Sequence, residues 1–474
     1  MLEFEALGLG CGRNLSSSSA AAAPIWGRGR SKGFSAEHKY SHAPINVFFP
    51  PPPHHCKILD LYTALLPFIQ NLLSYNNSLS EMKLYLLSLV HPLTLILIGT
   101  VSHAISSPLI KRGHVCRELV VPVTITCDNA IVHPSIDLGS LTGLLSSVIG
   151  LGFGLTIQGT YQIRGTYCEP EVTVPSRSNT LQLLAHPATY DRNYWSPSYD
   201  GDRYSWVAFA SKQGYPTFAY DRLGNGNSSR PDGVAVVQMP AQAATAHEMI
   251  KLARAGPAGG SPFPRAFNNI IHVGCSMGSL AANVLNVQYP DDVNATILTG
   301  FSKTWVNVIP GFTLTAGLLP AQLVQANKYG PLTVGYLLPT SEPGVEYLLF
   351  YGPPGTNYDP AFIHQDYLNR GTLTVGEAAS AALIPSASRY KGSVFVMTGQ
   401  EDVVFCGSLG FIGGGPGNCG NGTWSILAQT QTLYPHASNY SYYAIPNAGH
   451  CWEHQYVAQD GFAVAHNWLA GRGY

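Results

Sequence analysis

Ser276 stands at the centre of Gly274-Cys275-Ser276-Met277-Gly278, a G-x-S-x-G pentad that follows the apolar run 270–273 and precedes the helix-like stretch 276–287. A serine on a sharp strand-to-helix turn has its hydroxyl exposed, and the two glycines let neighbouring backbone pass without clash. Such a serine suits nucleophilic acyl chemistry. An alcohol at its ordinary pKa is a poor nucleophile, so Ser276 needs a base, and the base needs a carboxylate to orient it. His450, in Ile445-Pro446-Asn447-Ala448-Gly449-His450, follows a strand and precedes the stretch 455–469, which has the length of a final helix. His454, one helical turn on, is the nearest rival and is expected to pack or to face solvent. The carboxylate falls in 394–402, where a strand runs into Gly399-Gln400-Glu401-Asp402. Asp402 is preferred to Glu401, because the G-x-x-D spacing points its side chain toward the histidine.

A developing oxyanion needs two preorganised N–H donors, each worth roughly 3 kcal/mol in the transition state. Met277, the residue after the nucleophile, is one candidate. Ala188, in His186-Pro187-Ala188-Thr189-Tyr190-Asp191 after the third strand, is the other. Proline lacks an N–H, but the donor falls one residue after Pro187.

These groups lie far apart in sequence and require a scaffold to unite them. From about residue 115 apolar runs alternate with helical stretches. Strands are expected at 119–126, 160–167, 180–185, 217–221, 269–274, 295–300, 393–398 and 440–445, and helices at 204–212, 241–255 and 276–287. The later strands are continuous apolar runs, as parallel strands covered on both faces should be. The alternation predicts a mostly parallel wound α/β sheet. The rhythm breaks between the sixth and seventh strands, where 303–390 is rich in Pro, Gly and large apolar residues. An insertion at this point is read as a lid or cap, leaving 113–302 and 391–474 as the core.

Of the 474 residues 45% are hydrophobic and only 11% charged, with net charge −1 and pI near 7.0. Ordinary soluble domains carry roughly 25% charged residues. No basic excess is available to neutralise phosphates, so nucleic-acid binding is not expected. No Cys/His spacing matches a zinc site, and the glycine-rich stretch 221–228 lacks both G-x-G-x-x-G and a Lys-Ser/Thr ending. No metal and no cofactor are therefore predicted.

Residues 1–81 contain Ser16–Ser19, Ala20–Ala23 and Pro50–Pro53 runs and read as a low-complexity extension, disordered or an artefact upstream of a true start at Met82. Lys83, the uncharged run 84–99 and Ser102-His103-Ala104 make 82–104 a secretory signal peptide in pattern. The alternative is an uncleaved signal-anchor at 84–101, which would tether the protein to a membrane. The uncharged stretch 138–158 carries five glycines, which favours a loop and hairpin over a span. Export predicts disulfides. Cys406 with Cys419 would make a short-range bridge, and Cys116 with Cys168 would staple the first two strands, whereas Cys275 and Cys451 read as buried thiols. Sequons at Asn227, Asn294, Asn421 and Asn439 fit the same compartment.

Five landmarks in order, namely 186–191, 214–228, Gly274–Gly278, Gly399–Asp402 and Gly449-His450, resemble the α/β-hydrolase superfamily, and more narrowly its secreted fungal-type members. The resemblance covers about 115–474 and implies a Ser276–Asp402–His450 triad in the chain order this fold uses. It further implies hydrolysis of a small-molecule carboxylic ester or lactone through an acyl-enzyme on Ser276, and the apolar, aromatic insert implies a substrate with a hydrophobic acyl or aryl portion. A biosynthetic hydrolase or acyltransferase acting on a secondary metabolite is the alternative. A non-catalytic binding protein that kept the fold is the reading from a different class.

Overall fold

The computed structural model describes residues 114–132, 153–304, 308–381, 385–407 and 419–474. The low-complexity extension, the signal or anchor segment, most of the glycine-rich 138–158 stretch and the loop 408–418 lie outside the described residues.

An eight-stranded sheet forms the centre. In chain order its parts are β1 (Val115–Ala130), β2 (Phe153–Glu169), β3 (Thr180–Ala185), α1 (Trp206–Lys212), β4 (Thr217–Tyr220), α2 (Met239–Ala255), β5 (Asn269–Cys275), α3 (Met277–Gln288) and β6 (Ala295–Thr299). The intervening segment holds α4 (Val308–Ala316), β7 (Leu319–Pro320), β8 (Tyr336–Leu338), α5 (Glu342–Leu349), α6 (Pro360–Asn369), β9 (Leu373–Thr374) and α7 (Val375–Ser380). The chain then returns through β10 (Ser393–Gly399) and β11 (Asn439–Ile445) to α8 (Ala458–Ala470). Strand order is β1-β2-β4-β3-β5-β6-β10-β11, while β7, β8 and β9 form a separate small sheet. β1–β2 and β2–β4 pair antiparallel, and every other neighbour in the large sheet is parallel.

Burial follows this plan. Every residue of β3, β6 and β10 is buried, as central parallel strands require. β1 instead alternates, turning Leu119, Val121, Val123 and Ile125 inward and their neighbours outward, as an antiparallel edge strand does. β1 and β2 run well past the expected 119–126 and 160–167, because polar outward residues there hide the strand period from an apolar-run criterion. Helices cover both faces. Trp206 of α1 and His466 of α8 both bond the Gln182 side chain of β3. Trp468 of α8 stacks on Phe395, which pairs with Ile297 and so shares its face. The preceding residue, Thr296, bonds Asn286 of α3, so α3 lies on the opposite face, with α2 packed beside it.

Cys116–Cys168 ties β1 to β2, and Cys406–Cys419 closes the loop after β10. Cys275 and Cys451 are buried free thiols. Among the described residues no helix is long and apolar enough to cross a membrane.

Candidate active site

Ser276 joins β5 to α3 with φ 52° and ψ −113°. A non-glycine residue at positive φ is strained, and strain of this kind persists only where the surroundings fix it. Three contacts do so. The Ser276 N–H donates to the Thr299 carbonyl at 2.9 Å, and the Ser279 hydroxyl donates to the carbonyls of Gly274 and Thr299 at 2.8 and 2.7 Å. The flanking glycines are sterically required: a Cβ at Gly274 would lie 2.5 Å from the Gly278 carbonyl oxygen, and one at Gly278 would lie 2.1 Å from that of Ala185. Ser276 is the N-cap of α3, yet its side chain makes no capping bond. Its hydroxyl is left for other use.

Asp402 lies in the turn after β10 and is fully buried. Oδ2 accepts from the Thr398 hydroxyl at 2.6 Å and from His450 Nδ1 at 2.9 Å, while Oδ1 accepts from the N–H groups of Val404 and Phe405 at 2.7 and 2.9 Å. Burial alone raises its pKa. The charge on His450 and the hydrogen bonds from His450, Thr398 and Phe405 outweigh that, and the carboxyl sits below its ordinary value. Glu401 bonds the turn through its backbone N–H, to Ala448 O at 3.0 Å, and its side chain bonds no described residue. Of the two acids, Asp402 is the one whose side chain bonds His450. A Cβ at Gly399 would lie 2.1 Å from Ala448 O and 2.2 Å from Gly449 O, so glycine is what lets the acid turn touch the histidine turn.

His450 is buried, its ring parallel to Phe405 with centroids 5.4 Å apart. With Nδ1 donating to Asp402, Nε2 is the nitrogen left to accept a proton. The ring lies against Gly300, where a Cβ would stand 2.8 Å from His450 Cε1. Gly300 directly follows Thr299, whose carbonyl holds the Ser276 N–H. The imidazole and the elbow therefore meet at the same end of β6. No hydrogen bond joins Ser276 Oγ to His450 Nε2, and neither atom bonds any other described residue. Catalytic hydrogen bonds are often loose without substrate. His454 is fully buried, with Nε2 bonded to Tyr194 O at 3.0 Å and aromatic rings around it; it is a packed core residue.

Met277 is the first residue of α3, where an N–H has no intrahelical partner. The N–H groups of Met277 and Ala188 donate to no described residue. The two segments touch, since the Gly278 position abuts the carbonyls of Ala185 and His186. His186 is fully buried and accepts at Nε2 from the Arg222 N–H (3.1 Å), so its Nδ1 carries the proton and donates to Pro187 O (2.8 Å). Burial, and after it the charge of Arg222, hold its pKa well below the ordinary histidine value. Arg222 Nε donates to His186 O at 3.0 Å, and its guanidinium pairs with Glu377 of α7, both side chains fully buried.

Strand order, elbow and the Ser–Asp–His sequence of the three turns together decide the architecture. The fold is that of an α/β-hydrolase. No protein-family model and no curated protein matches the sequence. Solved structures similar to the chain include a thermophilic esterase from Thermogutta terrifontis (16% identity, 66% of this chain and 95% of that one, TM-score 0.41). Others are a putative aryl esterase from Burkholderia cenocepacia (13%, 72% and 98%, 0.41) and a putative α/β-hydrolase from Nostoc (15%, 65% and 94%, 0.41). At such TM-scores these likenesses carry no argument about residues or substrates.

Sequence reasoning missed Thr398, Phe405, Arg222 and Glu377. Thr374-x-x-Glu377 is a legible capping box, and Thr374 and Glu377 do form one. Nothing local marks Glu377 as the partner of an arginine 155 residues earlier.

Proposed function

We propose that the chain is a serine hydrolase that cleaves carboxylic esters or lactones with a hydrophobic acyl or aryl portion. Ser276 Oγ attacks the carbonyl carbon and gives its proton to His450 Nε2. Asp402 keeps the imidazole in the Nδ1–H tautomer and stabilises the imidazolium that forms. The Met277 and Ala188 N–H groups receive the oxyanion. His450 then protonates the leaving alcohol, leaving Ser276 acylated. Water, deprotonated by the same histidine, releases the acid.

The observation that carries this reading is the His450–Asp402 pair, fixed at the end of β6 whose last carbonyl also holds the strained Ser276. The apolar substrate class rests on the segment between β6 and β10. Leu314, Leu319, Leu323, Val334, Tyr347 and Leu368, all within it, are exposed large hydrophobic side chains. Export is proposed with it, supported by two disulfides and by the exposed Asn227, whose side-chain amide bonds no described residue and so can carry a glycan. The amide of Asn421, in contrast, is spent on Ala444.

The test is a series of p-nitrophenyl esters of increasing acyl length, run on the wild type and on Ser276→Ala. The expected result is turnover that rises from acetate to medium-chain or aryl esters and vanishes in the variant. Turnover that persists in Ser276→Ala would remove this reading.

A further inference from the structure

The inserted segment is bonded to the core beside Ala188 through residues 371–377. Thr189 N–H donates to Thr372 O at 3.3 Å, and Gly371 N–H donates to Thr189 O at 2.8 Å, so the insert pairs by backbone with the residue beside Ala188. A Cβ at Gly371 would stand 2.9 Å from Tyr190 O. Six residues after Gly371, Glu377 takes the Arg222 guanidinium at Oε1, accepts from Gln242 Nε2 at 2.9 Å at the same atom, and accepts at Oε2 from the Thr374 N–H at 3.2 Å. Arg222 in turn reaches the two carbonyls before Ala188, those of His186 at 3.0 Å and Pro187 at 3.4 Å. The backbone N–H of Arg222 also fixes the His186 ring. The 188–189 region is itself strained, with Thr189 at φ 63°.

We propose that Glu377, through Arg222, is a positioning residue for the Ala188 N–H, and that 371–377 is a fixed brace of the oxyanion loop rather than a moving part of a cap. This rests on the ester-hydrolase reading above. A peptide carrying a proline at 187 and left-handed backbone at 189 has few hydrogen bonds of its own to hold its direction. The guanidinium supplies two at consecutive carbonyls, and the carboxylate supplies the charge that lets the guanidinium be buried. Loss of the brace tilts the donor away from where the oxyanion forms. Ground-state binding, set by the rest of the pocket, is left nearly intact.

The experiment compares the wild type, Glu377→Gln and the double variant Arg222→Met/Glu377→Leu, which removes the buried charge entirely and is designed to fold where the single exchange does not. Expected for the folded variants is a fall in kcat of about ten- to hundredfold with KM within about twofold. A trifluoromethyl ketone, which binds as a tetrahedral oxyanion, should lose affinity in parallel with kcat. Hydrogen exchange should quicken at 186–190 and stay unchanged at 447–451. A folded variant with wild-type kcat, or with unaltered exchange at 186–190, overturns the brace. The exchange readout stands apart from catalysis: a wild type that turns over no ester defeats the hydrolase reading, whereas unchanged exchange defeats the brace.

Discussion

The two sides of the proposed site are built in different ways. On the acid–base side, Asp402 and His450 come from tight turns after adjacent parallel strands, β10 and β11, and each carboxylate lone pair is met by a group within four residues or by the histidine itself. On the oxyanion side, Ala188 is held at second hand, by an arginine after β4 and a glutamate from the insert. The first arrangement is local, and short motifs spell it out. The second exists only once distant segments have packed. A site can thus be half readable from its turns, while the other half depends on contacts no spacing rule records.

Substitutions on the acid–base side should have the largest effects. Exchange of Ser276 or His450 for alanine should lower kcat by about a millionfold, and Asp402→Asn, which permits the wrong tautomer, by about 10⁴-fold, in steady-state ester hydrolysis. Equal losses for Asp402→Asn and Asp402→Ala would support the tautomer role; a much milder Asn effect would deny it. The brace comes next. Glu377→Gln should cost about 3–5 kcal/mol in urea unfolding, because it leaves Arg222 buried without its countercharge. The Met/Leu double exchange should recover most of that, and only the single exchange should show the stability defect.

The disulfides sharpen the contrast in a milder way. By loop entropy, removing Cys116–Cys168 (separation 52) should cost about 4 kcal/mol and removing Cys406–Cys419 (separation 13) about 3 kcal/mol. Activity should rank the other way. The Cys406 N–H donates to Asp402 O at 3.1 Å, so loosening that loop disturbs the acid turn. Comparison of kcat and urea midpoint for the two serine pairs checks this crossing of ranks.

Acid should act on buried histidines. Burial pushes His272 down to about 3 and His466 down to about 4, and holds His186 well below its ordinary value. A folded pKa below the unfolded one means that the unfolded chain binds the extra proton. The stability involved is therefore fully present above pH about 6.5 and declines below it, by about 1.4 kcal/mol per pH unit for each histidine until its folded pKa is reached. The Asp402 carboxyl, also depressed, adds a loss of the same sign, beginning only below the ordinary carboxylate range. His272 bonds nothing through either nitrogen among the described residues. His272→Leu should fold and should flatten the limb between pH 6 and 4 by one proton's worth; an unchanged limb would contradict the assignment.

The unequal legibility has physical causes. Gly274, Gly278 and Gly399 were visible because backbone meets backbone there, and only glycine fits. Continuous apolar runs placed β3, β5, β6 and β10 within a residue or two. β1 and β2 were drawn short, because half of each faces outward. The insert is legible only as a break in the strand–helix alternation, although it contains short helices and a three-stranded sheet. Its strands are two or three residues long and leave no period to detect, and its longest helix spans ten residues. Arg222 and Glu377 were missed for the reason given above: their meaning lies in a pairing, not in a neighbourhood.

The most direct test is reaction of the folded, purified protein with a fluorophosphonate, followed by peptide mapping. A single stoichiometric adduct on Ser276, abolished by Ser276→Ala and strongly slowed by His450→Ala, is the predicted result. An adduct on a different serine, or none in protein whose circular dichroism and melting are native, would contradict the claim that these turns form a working nucleophile.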